Sequence, residues 1–239
     1  MTTRIACLGD SLTRAQFSVD YLDLLGRRHP PGDVQLARFG TNGDFAYNLL
    51  QRLDAVVTNP PDVITVLIGT NDARASLAGY PVEQAMKRKQ LPCRPSAGWF
   101  QQCLGAVVAR LRAETDATIG LLSLPVLGQQ LDGAAAQASQ AYSRMIAEVA
   151  ATDGVTYLPL HERQIEELRR ADPPPISYQE VTPAGVVGVL VQQAVLRRSL
   201  DTISRRRGLV LTTDHIHQNS RGATFIAEVI DAGLLTQSV

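Results

Sequence analysis

Three residues that lie far apart in the chain have the types that nucleophilic catalysis requires. Asp214 and His217 stand three positions apart, and in a loop or a first helical turn this spacing lets the carboxylate accept the ring Nδ1–H. The other ring nitrogen of His217 is then free to act as a base. Ser11 carries a hydroxyl, which becomes a nucleophile when such a base removes its proton. These side chains could therefore carry out acyl transfer.

Each of these residues also has a simpler interpretation. Ser11 precedes a predicted helix, and serine is a common N-cap residue. His215 and His217 could be a pair of surface histidines, or both could join Asp214 in binding zinc. No further cluster of ligand residues lies upstream, so we expect neither a metal nor an organic cofactor.

Short apolar runs that predict β-strands alternate along the chain with segments of helical periodicity. The predicted strands cover residues 4–8, 34–39, 63–68, 118–122 and 155–160. The predicted helices cover residues 19–28, 45–57, 99–113, 134–151 and 224–235. This alternation favours a parallel sheet that is covered by helices on both faces.

Small and polar residues follow the predicted strands, where α/β proteins of this kind bind their ligands. The first strand is followed by Gly9-Asp10-Ser11-Leu12-Thr13 and the second by Gly40-Thr41-Asn42-Gly43-Asp44. The third is followed by Gly69-Thr70-Asn71-Asp72. We therefore expect the functional residues at the carboxyl edge of the sheet.

Four motifs in this order resemble those of the GDSL, or SGNH, hydrolases. They are Gly9-Asp10-Ser11-Leu12, the segment around Gly43, the segment around Asn71, and the Asp214 and His217 pair. The resemblance implies that Ser11 is the nucleophile, that His217 is the general base and that Asp214 orients His217. It also implies an oxyanion hole made by the backbone N–H groups of Ser11 and Gly43 and by the side-chain amide of Asn71. The matches extend over nearly the whole chain.

The resemblance implies a three-layer α/β/α, flavodoxin-like fold with a parallel sheet of about five strands. It also implies a serine hydrolase that cleaves small, lipid or acyl-sugar esters through an acyl-serine intermediate. An acyltransferase could use the same triad with an acceptor other than water. A non-catalytic binding module on this fold is a further alternative, although such a module would be free to lose at least one triad residue.

Two features depart from the family pattern. His215 occupies a position where such motifs more often carry a small residue such as glycine, and we expect its side chain to face water. Residues 161–213 exceed what compact members need, so we expect a single domain, 1–239, with an inserted helical segment at about 161–213. A helix from Thr182 to about Arg206 could pack on the sheet, form a dimer contact or cover the site as a lid.

Residues near the site could shape the binding pocket. The connection 73–98 is long, and Tyr80 and Met86 are candidate pocket contacts. Five arginines near the end of the predicted helix 182–206 form either a solvated helix terminus or a patch for an anionic group. These arginines are Arg197, Arg198, Arg205, Arg206 and Arg207.

Composition excludes several broad classes of protein. The chain has 23 basic and 23 acidic residues, and zero net charge argues against a general nucleic-acid or membrane-surface binder. Its three cysteines predict neither a disulfide framework nor a zinc site. The longest apolar run, residues 184–191, is too short to span a membrane, and the first strand is too short for a signal peptide. We expect a cytoplasmic enzyme that acts on a small-molecule ester.

Overall fold

Five parallel strands form the centre of the computed structural model, which describes residues 2–181, 188–189 and 197–236. The strands are β1 (Thr3–Gly9), β2 (Val34–Gly40), β3 (Val63–Leu67), β4 (Thr118–Leu122) and β5 (Thr156–Leu158). Their order in the sheet is β2-β1-β3-β4-β5, and every pair is parallel. The predicted five-stranded parallel sheet is therefore confirmed.

Strand β1 lies in the interior of the sheet, with β2 on one side and β3 on the other. Gly9, its last residue, pairs with Gly40 of β2 and with Leu67 of β3. A Cβ atom at Gly9 would lie 2.5 Å from the backbone oxygen of Leu67, so this close approach requires glycine. The chain order reverses between β1 and β3, which is where ligands bind in this kind of sheet.

Helices cover both faces of the sheet and complete the three-layer α/β/α fold. They are α1 (Ser11–Arg14), α2 (Tyr21–Gly26), α3 (Ala46–Leu50), α4 (Asp54–Val57), α5 (Thr70–Arg74), α6 (Val82–Lys89), α7 (Ala97–Glu114), α8 (Ala134–Asp153), α9 (Leu160–Ala171), α10 (Leu200–Arg206) and α11 (Ser220–Ile230). A π-helical turn, Asp231–Leu235, follows α11 directly.

Alternate residues of each strand point to two separate cores. Ala6 and Leu8 of β1 join the cluster formed with α3, α7 and α8. Ile5 and Cys7 join the cluster on the other face, with residues from α2 and α11. Because both faces are covered, all five residues of β3 are buried.

Two predicted elements differ from the observed ones. The predicted helix 45–57 is divided into α3 and α4, and the interruption holds Arg52, which donates to the backbone oxygens of Gly9 and Phe39. The last strand ends at Leu158 because Pro159 forms the N-cap of α9 and provides no N–H for a ladder. Helix boundaries elsewhere agree within a few residues.

Two described helices, α9 and α10, lie in the segment 161–213. The segment begins inside α9, which packs against α8 and α11 beside the sheet. The predicted helix from Thr182 to about Arg206 lies largely outside the described residues, and the described part shows that it is not continuous to Arg206. Arg197 has a left-handed backbone with φ 48°, and Ser199 caps a new helix, α10, at Leu200. The lid and dimer interpretations of 182–206 therefore concern residues that are mostly outside the described part.

No helix in the described part of the chain is both long enough and apolar enough to cross a bilayer.

Candidate active site

Ser11 lies at the point where β1 ends and α1 begins. Asp10, and not Ser11, is the N-cap residue, because its Oδ1 accepts the backbone N–H of Leu12 at 3.0 Å. The N-cap interpretation of Ser11 is therefore wrong, and its hydroxyl is available for another contact. The residue is 8% exposed, so its side chain is largely shielded from solvent.

The structure brings Ser11, His217 and Asp214 together in one line of contacts. Nε2 of His217 lies 3.2 Å from Oγ of Ser11, and Nδ1 lies 2.8 Å from Oδ2 of Asp214. All three side chains are buried. With the Nδ1 proton held by the carboxylate, Nε2 can accept the hydroxyl proton of Ser11.

Asp214 is held in the ionised form that this arrangement requires. Its Oδ1 accepts the backbone N–H groups of Ile216, at 3.2 Å, and of His217, at 2.9 Å. Burial acts to raise the pKa of Asp214, but His217 and these hydrogen bonds outweigh burial and lower that pKa below its usual value. The carboxylate is thus charged and fixed in direction.

Contacts around Gln218 fix the loop that carries His217. Its backbone oxygen accepts the N–H of Val19 at 2.8 Å, and its backbone N–H donates to Ser18 Oγ at 3.1 Å. Its side chain accepts from Gln164 of α9 at 2.8 Å. Phe17 packs edge-on against the His217 ring, with 5.3 Å between centroids. These contacts join the segment after β1, which bears Ser11, to the segment before α11, which bears His217.

The loop after β2 carries the predicted donor Gly43. This glycine has φ +73°, a conformation that L side chains rarely adopt, and its backbone is therefore free to approach a ligand closely. The next residue, Asp44, is buried, and its carboxylate binds Arg52 Nε at 2.8 Å and Lys89 Nζ at 2.9 Å. Two cations thus hold the loop in place.

Asn71 lies in the first turn of α5, shortly after β3, and is buried. Its Nδ2 donates to the backbone oxygen of Asp44 at 2.9 Å and lies 3.4 Å from Oδ2 of Asp10. Its Oδ1 accepts from Arg74 at 2.9 Å. The amide nitrogen therefore lies on the side of Asn71 that faces the Ser11 and Gly43 loops.

Two further carboxyl groups are buried beneath these loops. Burial raises the pKa of Asp10 to about 6 and the pKa of Asp72 to about 7. Asp72 Oδ2 accepts the N–H of Ala46 at 3.1 Å, whereas its Oδ1 has no partner among the described residues. Each acid thus retains its proton to a higher pH than an exposed aspartate does.

The expected exposure of His215 is wrong. The residue is 8% exposed, and its ring meets the edge of the Tyr178 ring at a centroid distance of 5.8 Å. Its φ of 72° explains why a glycine would suit this position, and this backbone turn directs the side chain inward. Burial lowers the pKa of His215, and its Nδ1 has no partner among the described residues.

A cavity of about 430 Å³ lies beside the catalytic loop. Its walls contain two carboxylates, a guanidinium, an imidazole and an amide as well as two aliphatic side chains. The described lining residues are Ile176, Gln179, Glu180, Val181, Arg207, Asp214 and His215.

The residues that support Asn71 are not among those predicted from the sequence. Arg74 contacts both Asn71 and Glu180, and Tyr178 Oη donates to Glu180 Oε2 at 2.7 Å. Arg74 stands one helical turn after Asn71, and this spacing was the available signal. Glu180 is 106 positions from Arg74, so no local pattern pairs them.

The connection 73–98 places one of its two predicted pocket residues next to the site. Tyr80 lies under the Arg74 guanidinium, which is 5.1 Å from the ring centroid. Met86 packs instead into a small apolar cluster with Phe45 and Leu91. Within the described part of the chain, no group of three metal-ligating side chains was found.

Comparison with known families decides the identity of the fold. The model of the GDSL-like lipase/acylhydrolase family matches residues 7–179, which is well over half of the chain. The chain belongs to this family. It is therefore an ester hydrolase, as the resemblance predicted. The matched range contains Ser11, Gly43 and Asn71, whereas Asp214 and His217 lie beyond it.

Solved structures share the fold of this family member. The acetyl xylan esterase AlAXEase has a TM-score of 0.70 and 18% identity over 97% of this chain and 100% of its own. The esterase Axe2 from Geobacillus stearothermophilus has a TM-score of 0.66 and 15% identity over 96% and 93%. LAE5, an α/β hydrolase from the Lake Arreo metagenome, has a TM-score of 0.65 and 18% identity over 96% and 94%. A search of curated protein sequences found no significant match.

Proposed function

We propose that this protein is a serine esterase that acts through an acyl-serine intermediate. The observation that carries the proposal is the line of contacts from Ser11 Oγ to His217 Nε2, at 3.2 Å, and from His217 Nδ1 to Asp214, at 2.8 Å. A nucleophile, a base and a group that orients the base thus meet at the switch point of the sheet.

The reaction follows from these positions. Ser11 Oγ attacks the ester carbonyl carbon while His217 Nε2 takes the hydroxyl proton. The tetrahedral intermediate collapses when the C–O bond to the alcohol breaks, and His217 returns the proton to the departing alkoxide oxygen. His217 then takes a proton from water, which attacks the acyl carbon, and the bond from this carbon to Ser11 Oγ breaks as His217 returns the proton to that oxygen and the acid is released. Asp214 stabilises the imidazolium that forms in both halves of the reaction.

Three donors would stabilise the negative oxygen of each intermediate. They are the backbone N–H groups of Ser11 and Gly43 and Nδ2 of Asn71. The hydrogen bond between Asn71 and the Asp44 backbone supports this role, because it keeps two of the donors on adjacent, fixed loops. One such donor contributes about 3–4 kcal/mol to lowering the barrier.

The spacing of aspartate and histidine in a solved neighbour supports the triad assignment. Two structures of catalytic mutants of Axe2 carry alanine at an aspartate or at a histidine three positions later. Asp214 and His217 have the same spacing.

The cavity beside Asp214 favours a polyhydroxylated alcohol, such as a sugar, over an aliphatic one. Gln179, Arg207 and the unpartnered Nδ1 of His215 are polar groups on the cavity wall, with which a polyhydroxylated alcohol can form hydrogen bonds and a hydrocarbon cannot. The acetyl xylan esterases among the solved neighbours act on an acylated polysaccharide, which agrees with this substrate class. A short-chain acyl ester of a sugar is therefore the proposed substrate.

Hydrolysis of p-nitrophenyl acetate tests the proposal. Ser11→Ala should reduce kcat by at least about 10³-fold without lowering the melting temperature, because the nucleophile is lost and the fold is not. Ser76→Ala, which alters an exposed serine in the loop after α5, is the matched control. Full activity of Ser11→Ala would overturn the proposal.

The same assay separates hydrolysis from acyl transfer. With added glycerol, an esterase of the proposed kind should release mainly free acetate, whereas preferential formation of acetylglycerol would identify an acyltransferase.

A further inference from the structure

Arg74 bridges the proposed oxyanion hole and the segment that precedes residue 182. One guanidinium nitrogen donates to Asn71 Oδ1 at 2.9 Å. The other side of the guanidinium forms an ion pair with the Glu180 carboxylate, which accepts from both Nε and a terminal nitrogen. The side chains of Arg74 and Glu180 are only 14% and 17% exposed, so water competes weakly for these contacts.

These contacts select one of the two orientations of the Asn71 amide. In the observed orientation, Oδ1 meets a guanidinium donor and Nδ2 meets the carbonyl oxygen of Asp44. Rotation by 180° would place two donors against each other at Arg74 and two acceptors against each other at Asp44. The flipped amide would also direct an oxygen, instead of the second N–H of Nδ2, towards the oxyanion.

Arg74 is itself held firmly on two sides. Its guanidinium lies 5.1 Å from the centroid of the Tyr80 ring, and its nitrogens are paired with the Glu180 carboxylate. Burial alone would lower the pKa of Arg74, but Glu180 outweighs burial and raises it above its usual value. The arginine therefore keeps its charge in this half-enclosed position.

Glu180 extends the network towards the other half of the triad. Tyr178 Oη donates to Glu180 Oε2 at 2.7 Å, and the Tyr178 ring packs against His215, the neighbour of Asp214. A continuous series of contacts thus runs from Asn71 through Arg74, Glu180 and Tyr178 to the catalytic loop.

We propose that Arg74 is a positioning residue that locks the Asn71 amide with Nδ2 towards the oxyanion, and that Glu180 supports Arg74 in this role. This inference rests on the proposed function. Hydrogen bonding from a cation to Oδ1 also polarises the amide, which makes its N–H groups stronger donors to a developing negative charge. The loss of Arg74 should therefore weaken transition-state binding and leave substrate binding nearly unchanged.

A double-mutant cycle on p-nitrophenyl acetate hydrolysis tests this coupling. Arg74→Met should lower kcat by about 10- to 100-fold with KM within about twofold, because the amide is no longer fixed. In an Asn71→Ala background, Arg74→Met should cause no further loss, because the group it positions is already absent. Arg74→Lys should restore part of kcat, since lysine keeps one donor to Asn71 but loses the two-pronged contact with Glu180.

A second pair of variants distinguishes a loss of positioning from misfolding. Glu180→Gln should lower kcat by about 3- to 10-fold in the wild-type background and leave kcat unchanged in the Asn71→Ala background. Arg110→Met is the matched control, because Arg110 also binds two carboxylates but does so on the surface, through Asp54 and Glu114. It should retain the wild-type kcat.

Two results would overturn the inference alone. One is a wild-type kcat for Arg74→Met and Glu180→Gln while Asn71→Ala is impaired. The other is a loss from Arg74→Met that is as large in the Asn71→Ala background as in the wild type. If Asn71→Ala itself keeps the wild-type kcat, the oxyanion hole of the proposed function is wrong, and the role of Arg74 falls with it.

Discussion

Nδ2 of Asn71 lies 2.9 Å from the backbone oxygen of Asp44, so a direct hydrogen bond joins the first turn of α5 to the loop that follows β2. Asp44 is in turn held by Arg52 and Lys89. The segments that bear the candidate donors Gly43 and Asn71 therefore form one unit, whose position is set by contacts between strand ends.

Arg52 should contribute measurably to the stability of that unit. It donates to the backbone oxygens of Gly9 and Phe39 and to the buried carboxylate of Asp44. Arg52→Met should lower the free energy of unfolding by about 2–3 kcal/mol, because three acceptors in the interior lose a charged hydrogen-bond donor. Urea denaturation measures the change. The control is Asp54→Asn, which removes the exposed partner of Arg110 and should lower the free energy of unfolding by less than about 1 kcal/mol. An equal loss in both variants would contradict this account.

Asp214→Asn should reduce kcat by about 10³- to 10⁴-fold, because an amide no longer fixes the tautomer of His217. The lowered pKa of Asp214 keeps its carboxylate ionised in mildly acidic solution. Protonation of Asp214 should therefore not contribute to a fall of kcat/KM in this range. The kcat for p-nitrophenyl acetate measures the loss, and an Asp214→Asn variant that keeps the wild-type kcat would contradict this prediction.

Asp72→Asn should stabilise the protein at pH 8 and change little at pH 4.5. Burial raises the pKa of Asp72 from 3.8 to about 7, so the folded state binds a proton that the unfolded state releases. The contribution of protonated Asp72 to the free energy of unfolding is complete below pH 3.8 and is lost as the pH rises through about 7. Removing the charge should increase the free energy of unfolding by about 1–3 kcal/mol at pH 8. Denaturation at both pH values tests the sign, with the exposed Asp116→Asn as control.

His215→Ala should weaken discrimination in favour of sugar esters. The ratio of kcat/KM for an acetylated xyloside to that for p-nitrophenyl acetate should fall about 5- to 20-fold, because one hydrogen bond to the alcohol is lost. Arg206→Ala, which changes an exposed arginine outside the described cavity lining, should leave the ratio unchanged. If His215→Ala leaves the ratio unchanged, the cavity is not the alcohol site.

The sheet and the order of its functional loops could be predicted from local pattern. Buried parallel strands such as β3 are continuous apolar runs, and polar residues such as Ser11 and Asn71 follow them directly. The Asp214-to-His217 spacing is also local. Because parallel strands end at one edge, residues separated by more than 200 positions could be expected at one site.

The supporting contacts could not be predicted, because they depend on how distant segments pack. Glu180 contacts Arg74 across 106 positions, and the buried His215 packs against the ring of Tyr178, which belongs to a distant segment. Asp10, and not Ser11, is the N-cap of α1, and this depends on the backbone geometry at the end of β1. The break before α10 follows from the left-handed residue Arg197, which no hydrophobic period indicates.

Covalent labelling with a fluorophosphonate tests the central claim most directly, because such a reagent forms a stable phosphonyl ester only with an activated serine. Peptide mass mapping of the inactivated protein should find one adduct per chain, on Ser11, in proportion to the activity lost. His217→Ala should block this labelling, since the hydroxyl loses its base. Complete inactivation with the adduct on another residue, or rapid labelling of Ser11 in His217→Ala, would contradict the account.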